Sequence, residues 1–220
     1  FNPLDALKPD QPGCFTDAGR IADAIVVIHD GESSFWDESG RSMIRGLILH
    51  VLTDPAYEGR RNLLTVRWLI SRGDWEAAEA LRQMGEHDIP SPHALLWMGV
   101  ARNPAFGGRV AAIGEKFIQL MNSNMKGYGS VVEVASLNTE FIESPEMEPC
   151  LEASDFELSE LKTRPEGMSL YLSLPLRHME THYRWLWMMI GLTLTEMERV
   201  KGQPASGHPV LFLLDEFAGL

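Results

Sequence analysis

The hydrophobic pattern of this chain changes period about two thirds of the way along. From Thr16 to His29 the apolar residues Ala18, Ile21, Ala22, Ile25 and Val26 recur at helical spacing, which predicts a helix capped by Thr16 or Asp17. A second helix opens at Ser34, carries Phe35, Met43, Leu47 and Val51 on its apolar stripe, and stops at Asp54-Pro55. Asn62 to Ser71 predicts a third, broken at Gly73, and Asp74 caps a fourth from Trp75 to Met84. Ser91-Pro92 starts a fifth, which halts before Asn103-Pro104. Gly107-Gly108 precede a sixth from Arg109 to Met121, and a seventh runs from about Ser130 to Ile142.

Beyond that point the period shortens. Ser154-x-x-Glu157 has the form of a capping box ahead of a short helix through Leu161. Met168 to Leu174 and Val210 to Leu214 are strand-like runs. Between them His178 to Val200 predicts a long helix, apolar on nearly every side from Tyr183 to Leu194, as a helix buried between two layers is. Strand, helix and strand with continuously apolar strands predict a βαβ unit of a parallel sheet. The expected architecture is mainly α. A leading segment, 1–13, precedes an all-α domain of about seven helices, 14–150. A βαβ piece of a P-loop-type parallel sheet follows over 151–220.

Composition narrows the functions open to such a chain. The net charge is −12, and a surface that coats nucleic acid needs clustered Lys and Arg. Between Lys126 and Lys162 there is no basic residue, while Glu140, Glu143, Glu146, Glu148 and Glu152 all fall there. That stretch reads either as a solvated face or as a docking surface for a basic partner. Two cysteines, Cys14 and Cys150, make no disulfide framework and point to a reducing compartment. The most apolar helix is too short to span a membrane and contains Arg184, so an anchor would lie outside this sequence.

Two motifs carry candidate chemistry. The apolar run Val210-Leu211-Phe212-Leu213-Leu214 leads directly into Asp215-Glu216. A strand ending in two carboxylates is how P-loop ATPases hold magnesium, through the first, and activate water, through the second. No Gly-x-x-x-x-Gly-Lys-Ser/Thr occurs in the chain, so the phosphate-binding half of such a site is not in it. The chain therefore reads as a piece of a longer protein. His178 and His182 share a helix face beside Glu180, but the zincin order His-Glu-x-x-His is missing and no third ligand is evident. The six tryptophans lie on helical apolar faces with no cluster of basic residues around them, as core residues do.

Three segments taken together resemble the TraG-type coupling proteins of type IV secretion systems. They are Phe1-Asn2-Pro3-Leu4, Phe35-Trp36-Asp37-Glu38 continuing to Gly46-Leu47-Ile48-Leu49-His50-Val51, and Leu170-Tyr171-Leu172-Ser173-Leu174-Pro175 with the closing Pro209 to Leu220. The resemblance implies a hexameric ATPase anchored on the cytoplasmic face of the bacterial inner membrane. Such a protein recruits relaxase–DNA complexes or secreted protein effectors through an all-α domain. By match, Asp215 is the residue associated with ATP-bound magnesium and Glu216 the catalytic carboxylate. ATP and magnesium are expected in the longer protein and not tightly bound to this chain alone. The resemblance puts the phosphate-binding loop upstream of Phe1 and a glutamine-containing motif beyond Leu220. The rival readings are a fragment of another P-loop DNA translocase, or a helical interaction module in which Asp215-Glu216 is accidental.

Overall fold

The computed structural model describes residues 1–28 and 34–215. After a short 3-10 turn, Pro3–Ala6, ten α-helices follow: α1 Cys14–Ile25, α2 Ser34–Thr53, α3 Leu63–Arg72, α4 Trp75–Gln83, α5 Pro92–Ala101, α6 Ala105–Ser123, α7 Met125–Asn138, α8 Glu148–Glu152, α9 Glu160–Thr163 and α10 Met179–Arg199. The first seven are the seven that the periodicity predicts.

The core is organised round α2. Its residues Ile44, Leu47, Ile48, Leu49 and Val51 are fully buried, because α1, α3, α6 and α7 all pack on this helix. Each such side chain stabilises the fold by roughly 1.5–3 kcal/mol relative to exposure. Helices α5 and α6 form the most intimate pair. A Cβ at Gly114 would fall 2.4 Å from Ala101 N and 2.8 Å from the Val100 carbonyl carbon, so only glycine lets the two backbones approach. Beneath them Trp97 stacks on Phe117 at 4.4 Å and donates its Nε1–H to the Tyr128 hydroxyl at 2.8 Å. Helix α10 packs along α1. There Arg199 donates to buried Asp17 at 2.6 Å, and Lys162 donates to the Met197 and Val200 carbonyls at the helix end.

The predicted helix starts hold at Asp74 and Ser91, whose side chains accept from Ala77 N and Ala94 N, and Asn62 caps α3 by accepting from Thr65 N. Several expectations need correction. Helix α1 starts at Cys14 behind Gly13, so neither Thr16 nor Asp17 caps it. It ends at Ile25 because the β-branched run Val26-Val27-Ile28 favours extended backbone, and Val26 is extended. Helix α7 begins five residues early, at Met125, where the Asn124 side chain accepts from Gly127 N. It stops at Asn138, and Glu140–Glu143 continue as a 3-10 turn. Ser154 makes no capping box: its hydroxyl oxygen accepts from Asn2 N at 2.9 Å, tying the chain's first residues to this region.

No strand forms among the described residues. The pattern that predicted strands is nonetheless present in the burial. Met168, Leu170, Leu172 and Leu174 are half-buried, alternating with exposed Ser169, Tyr171 and Ser173. Around residues 210–214, Leu211 and Leu213 are 83% and 87% exposed while Val210 and Phe212 turn inward. A strand exists only when a neighbour takes its backbone hydrogen bonds; the two segments do not pair with each other or with any other described residue. The expected βαβ unit is accordingly not formed here. Helix α10 is not covered on both sides either, since Leu194 is exposed while Leu186, Met188, Met189 and Leu192 are buried.

Candidate functional site

Asp215 sits in an exposed turn after the 210–214 segment, and Glu216 lies outside the described residues. Among the described residues no sheet edge presents Asp215. The described residues also contain no group of three or more His, Cys, Asp or Glu side chains placed to hold a metal.

The histidine pair is engaged in packing. The His178 and His182 rings lie 5.2 Å apart at a steep angle, and Arg177 Nε donates to His178 Nε2 at 2.9 Å. A guanidinium on that nitrogen opposes a metal cation. Buried His182 packs on Phe141 and shares a 2.6 Å hydrogen bond between its Nδ1 and Thr181 Oγ1. Buried Cys14 is inert: burial, reinforced by the Asp17 carboxylate, pushes its thiol up to about 11.

The acidic stretch, by contrast, forms one continuous ribbon. It leaves α7, turns through Glu140–Glu143, passes along α8 and reaches Phe156, which stacks on Phe1 at 5.2 Å. Phe141, Ile142, Met147 and Leu151 are buried and nail the ribbon to the helical body, mainly on α3. Glu140, Glu143, Glu146, Glu148 and Glu152 all face solvent. The sequence thus divides neatly, apolar residues inward and carboxylates outward.

These carboxylates are not equivalent. Arg67, only 9% exposed, reaches from α3 beneath the ribbon and donates to the Ser136 carbonyl at 2.8 Å and to Thr139 Oγ1 at 3.1 Å. Its Nε lies 2.9 Å from Glu143 Oε1, close enough for an ion pair though not aligned as a hydrogen bond. The guanidinium holds the Glu143 carboxyl below the usual carboxylate range. Glu143 is therefore already paired with Arg67. Glu146 accepts from the Ser144 hydroxyl at 2.5 Å, and that bond lowers its carboxyl too. No ion pair to Glu140, Glu148 or Glu152 is found among the described residues. Those three remain as outward charge that a basic surface can meet.

Sequence reasoning missed Arg67, which organises this region. A lone arginine in an apolar helix, Leu63 to Ile70, was the available signal, since such a residue needs buried acceptors. It also missed an open groove of about 950 Å³ between α1, α2 and α10, lined by Val27, Ile28, Met179, Tyr183 and Trp187 with the Asp23–Arg41 ion pair at its rim.

Comparison with known proteins gives the frame for these features. The family described as Type IV secretory system Conjugative DNA transfer matches residues 1–220, the whole chain. The conjugal transfer protein TraG of Escherichia coli is 24% identical across the whole chain, which spans 34% of that relative's length. No solved structure matches. No described helix is long and apolar enough to cross a membrane.

Proposed function

The chain belongs to the family of type IV secretory system conjugative DNA transfer proteins, and on that premise we propose that it is the substrate-recognition region of a coupling ATPase. The family match over every residue carries this reading. In it, the helical body recruits relaxase–DNA complexes or protein effectors to the secretion channel. The outward carboxylates Glu140, Glu148 and Glu152 support a basic protein as the recruited partner over bare DNA, whose phosphates they repel.

On this reading residues 168–174 and 210–214 are strands of a nucleotide-binding sheet whose remaining strands come from elsewhere in a longer protein. Their period-two burial and exposed Tyr171, Leu211 and Leu213 support it, because such residues expect cover. The phosphate-binding loop also belongs to that longer protein, which binds ATP and magnesium, assembles as a hexamer, and works at the cytoplasmic face of the inner membrane. Asp215 helps to hold the magnesium, and Glu216 orients and deprotonates the attacking water. Substituting Glu216→Gln in the longer protein should leave nucleotide binding intact and lower ATP turnover by ~100-fold or more, as loss of a general base does. Unchanged turnover would refute the catalytic assignment and leave a helical interaction module.

A further inference from the structure

We propose that His50 is a proton-operated latch on the corner between α5 and α6. The ring sits in the last turn of α2 and is only 3% exposed. Its Nδ1 lies between two groups of opposite character: the Asn103 side-chain amide nitrogen at 3.1 Å and the Asp54 Oδ2 at 3.7 Å.

The surrounding bonds decide which group Nδ1 uses. Asn103 Oδ1 accepts from Ala105 N at 3.0 Å, so the amide oxygen is committed there and the NH₂ must face the ring. That NH₂ also donates to Thr53 Oγ1 at 2.9 Å, whose own proton goes to the Leu49 carbonyl at 2.7 Å. Reversing the amide would set its NH₂ against the Ala105 N–H. Nδ1 therefore accepts, and the neutral ring carries its proton on Nε2.

A second proton changes the partner. Nδ1–H cannot face the Asn103 NH₂, since both are donors, whereas the Asp54 carboxylate can accept it. Asp54 is held in place because its Oδ1 accepts from Ala56 N at 2.9 Å. The proton thus moves Nδ1 from Asn103 to Asp54 and takes away a bond that orients Asn103. That side chain secures the start of a strained corner: Phe106, Gly107 and Gly108 follow with φ of 53°, 66° and 82°. A left-handed Phe costs on the order of 1–3 kcal/mol, so this turn depends on what pins it. Phe106 in turn packs on Phe15 of α1 at 5.7 Å.

Tyr57 and Asp74 also face the ring. The Tyr57 ring meets it edge-on at 5.4 Å. Burial pushes the His50 pKa below its ordinary value, while the Asp54 and Asp74 charges pull it back up. With the folded value depressed, the neutral latch adds stability that is complete above the unfolded value near ~6.5 and is lost as the pH falls below it toward the folded value.

The test is amide hydrogen exchange on this chain, expressed as protection factors to remove the intrinsic pH dependence, at about pH 7.5 and about pH 5.5, with nitrogen NMR of the histidine side chains. Expected are a proton on Nε2 at the higher pH and a loss of Ala105 and Gly108 protection by about tenfold at the lower, while α7 is unaffected. His50→Gln should abolish the change. Asp54→Asn, at a partly exposed site, should fold even if His50→Gln does not, and should shift the midpoint to lower pH. Protection that is the same at both pH values, a proton on Nδ1 at the higher pH, or an unmoved midpoint in D54N would each overturn the latch. None of these readouts depends on ATP turnover or on cargo.

Discussion

Arg67 is the residue on which the acidic ribbon hangs, and its two kinds of bond should separate on mutation. Its donations to Ser136 O and Thr139 Oγ1 are buried, whereas Glu143 is 54% exposed and its attraction is screened by water. Arg67→Ala should cost about 2–4 kcal/mol, because buried acceptors lose their donor. Glu143→Gln should cost under about 1 kcal/mol. Thermal or urea unfolding of both variants checks this; equal losses would mean that the exposed ion pair, rather than the buried bonds, holds the ribbon. The sign with pH agrees for Glu143: its lowered carboxyl contributes stability above the ordinary carboxylate range that fades as the pH falls through it. The His50 latch weakens earlier on the same descent, so acid should loosen the α5–α6 corner before it loosens the ribbon.

Among the helices, the contact most sensitive to a single methyl group is the α5–α6 crossing at Gly114. The Cβ of alanine would meet backbone atoms of Val100 and Ala101, which cannot rotate away. Gly114→Ala should destabilise by about 1–3 kcal/mol through overpacking, despite alanine's better helix propensity. A denaturation midpoint at or above that of the parent would show that the helices can separate without penalty. This crossing also marks what was legible in the sequence. The helix starts at Asp74 and Ser91, the breaks at Gly73 and Pro104, and the helical stripes were readable because they are local. The glycine's packing role, the Arg67 bonds and the Asn103–His50 node were not, since they join residues of different helices that are distant in the sequence. The strand-like segments were half legible. Alternation at 168–174 set which side chains turn inward, but alternation cannot supply the neighbouring strand that makes a ladder. Helix α7 starts ahead of the predicted Ser130 because Asn124 caps it there, with Gly127 packed against that cap.

For the whole molecule, family membership and charge point in one direction. The chain carries a net charge of −12, and Glu140, Glu148 and Glu152 are exposed along a ribbon anchored by buried Phe141, Ile142, Met147 and Leu151. Of the glutamates suggested by the sequence, Glu143 is paired with Arg67 and Glu146 with Ser144, while Glu140, Glu148 and Glu152 carry no ion pair among the described residues. The Asp215-Glu216 pair was recognisable as a motif, yet a motif at a strand end needs its sheet to become a site. In the proposed function, recognition lies in this chain and catalysis in a longer protein.

The most direct measurement is a calorimetric titration of this chain with a basic relaxosome protein and, separately, with naked duplex DNA, over a range of salt concentrations. The account predicts that the protein binds more tightly than DNA and that its affinity falls as salt rises. The combined substitution Glu140→Gln, Glu148→Gln and Glu152→Gln should weaken it about tenfold or more without changing the fold. Naked DNA binding as tightly as the protein, or an affinity unmoved by the triple substitution, would contradict it.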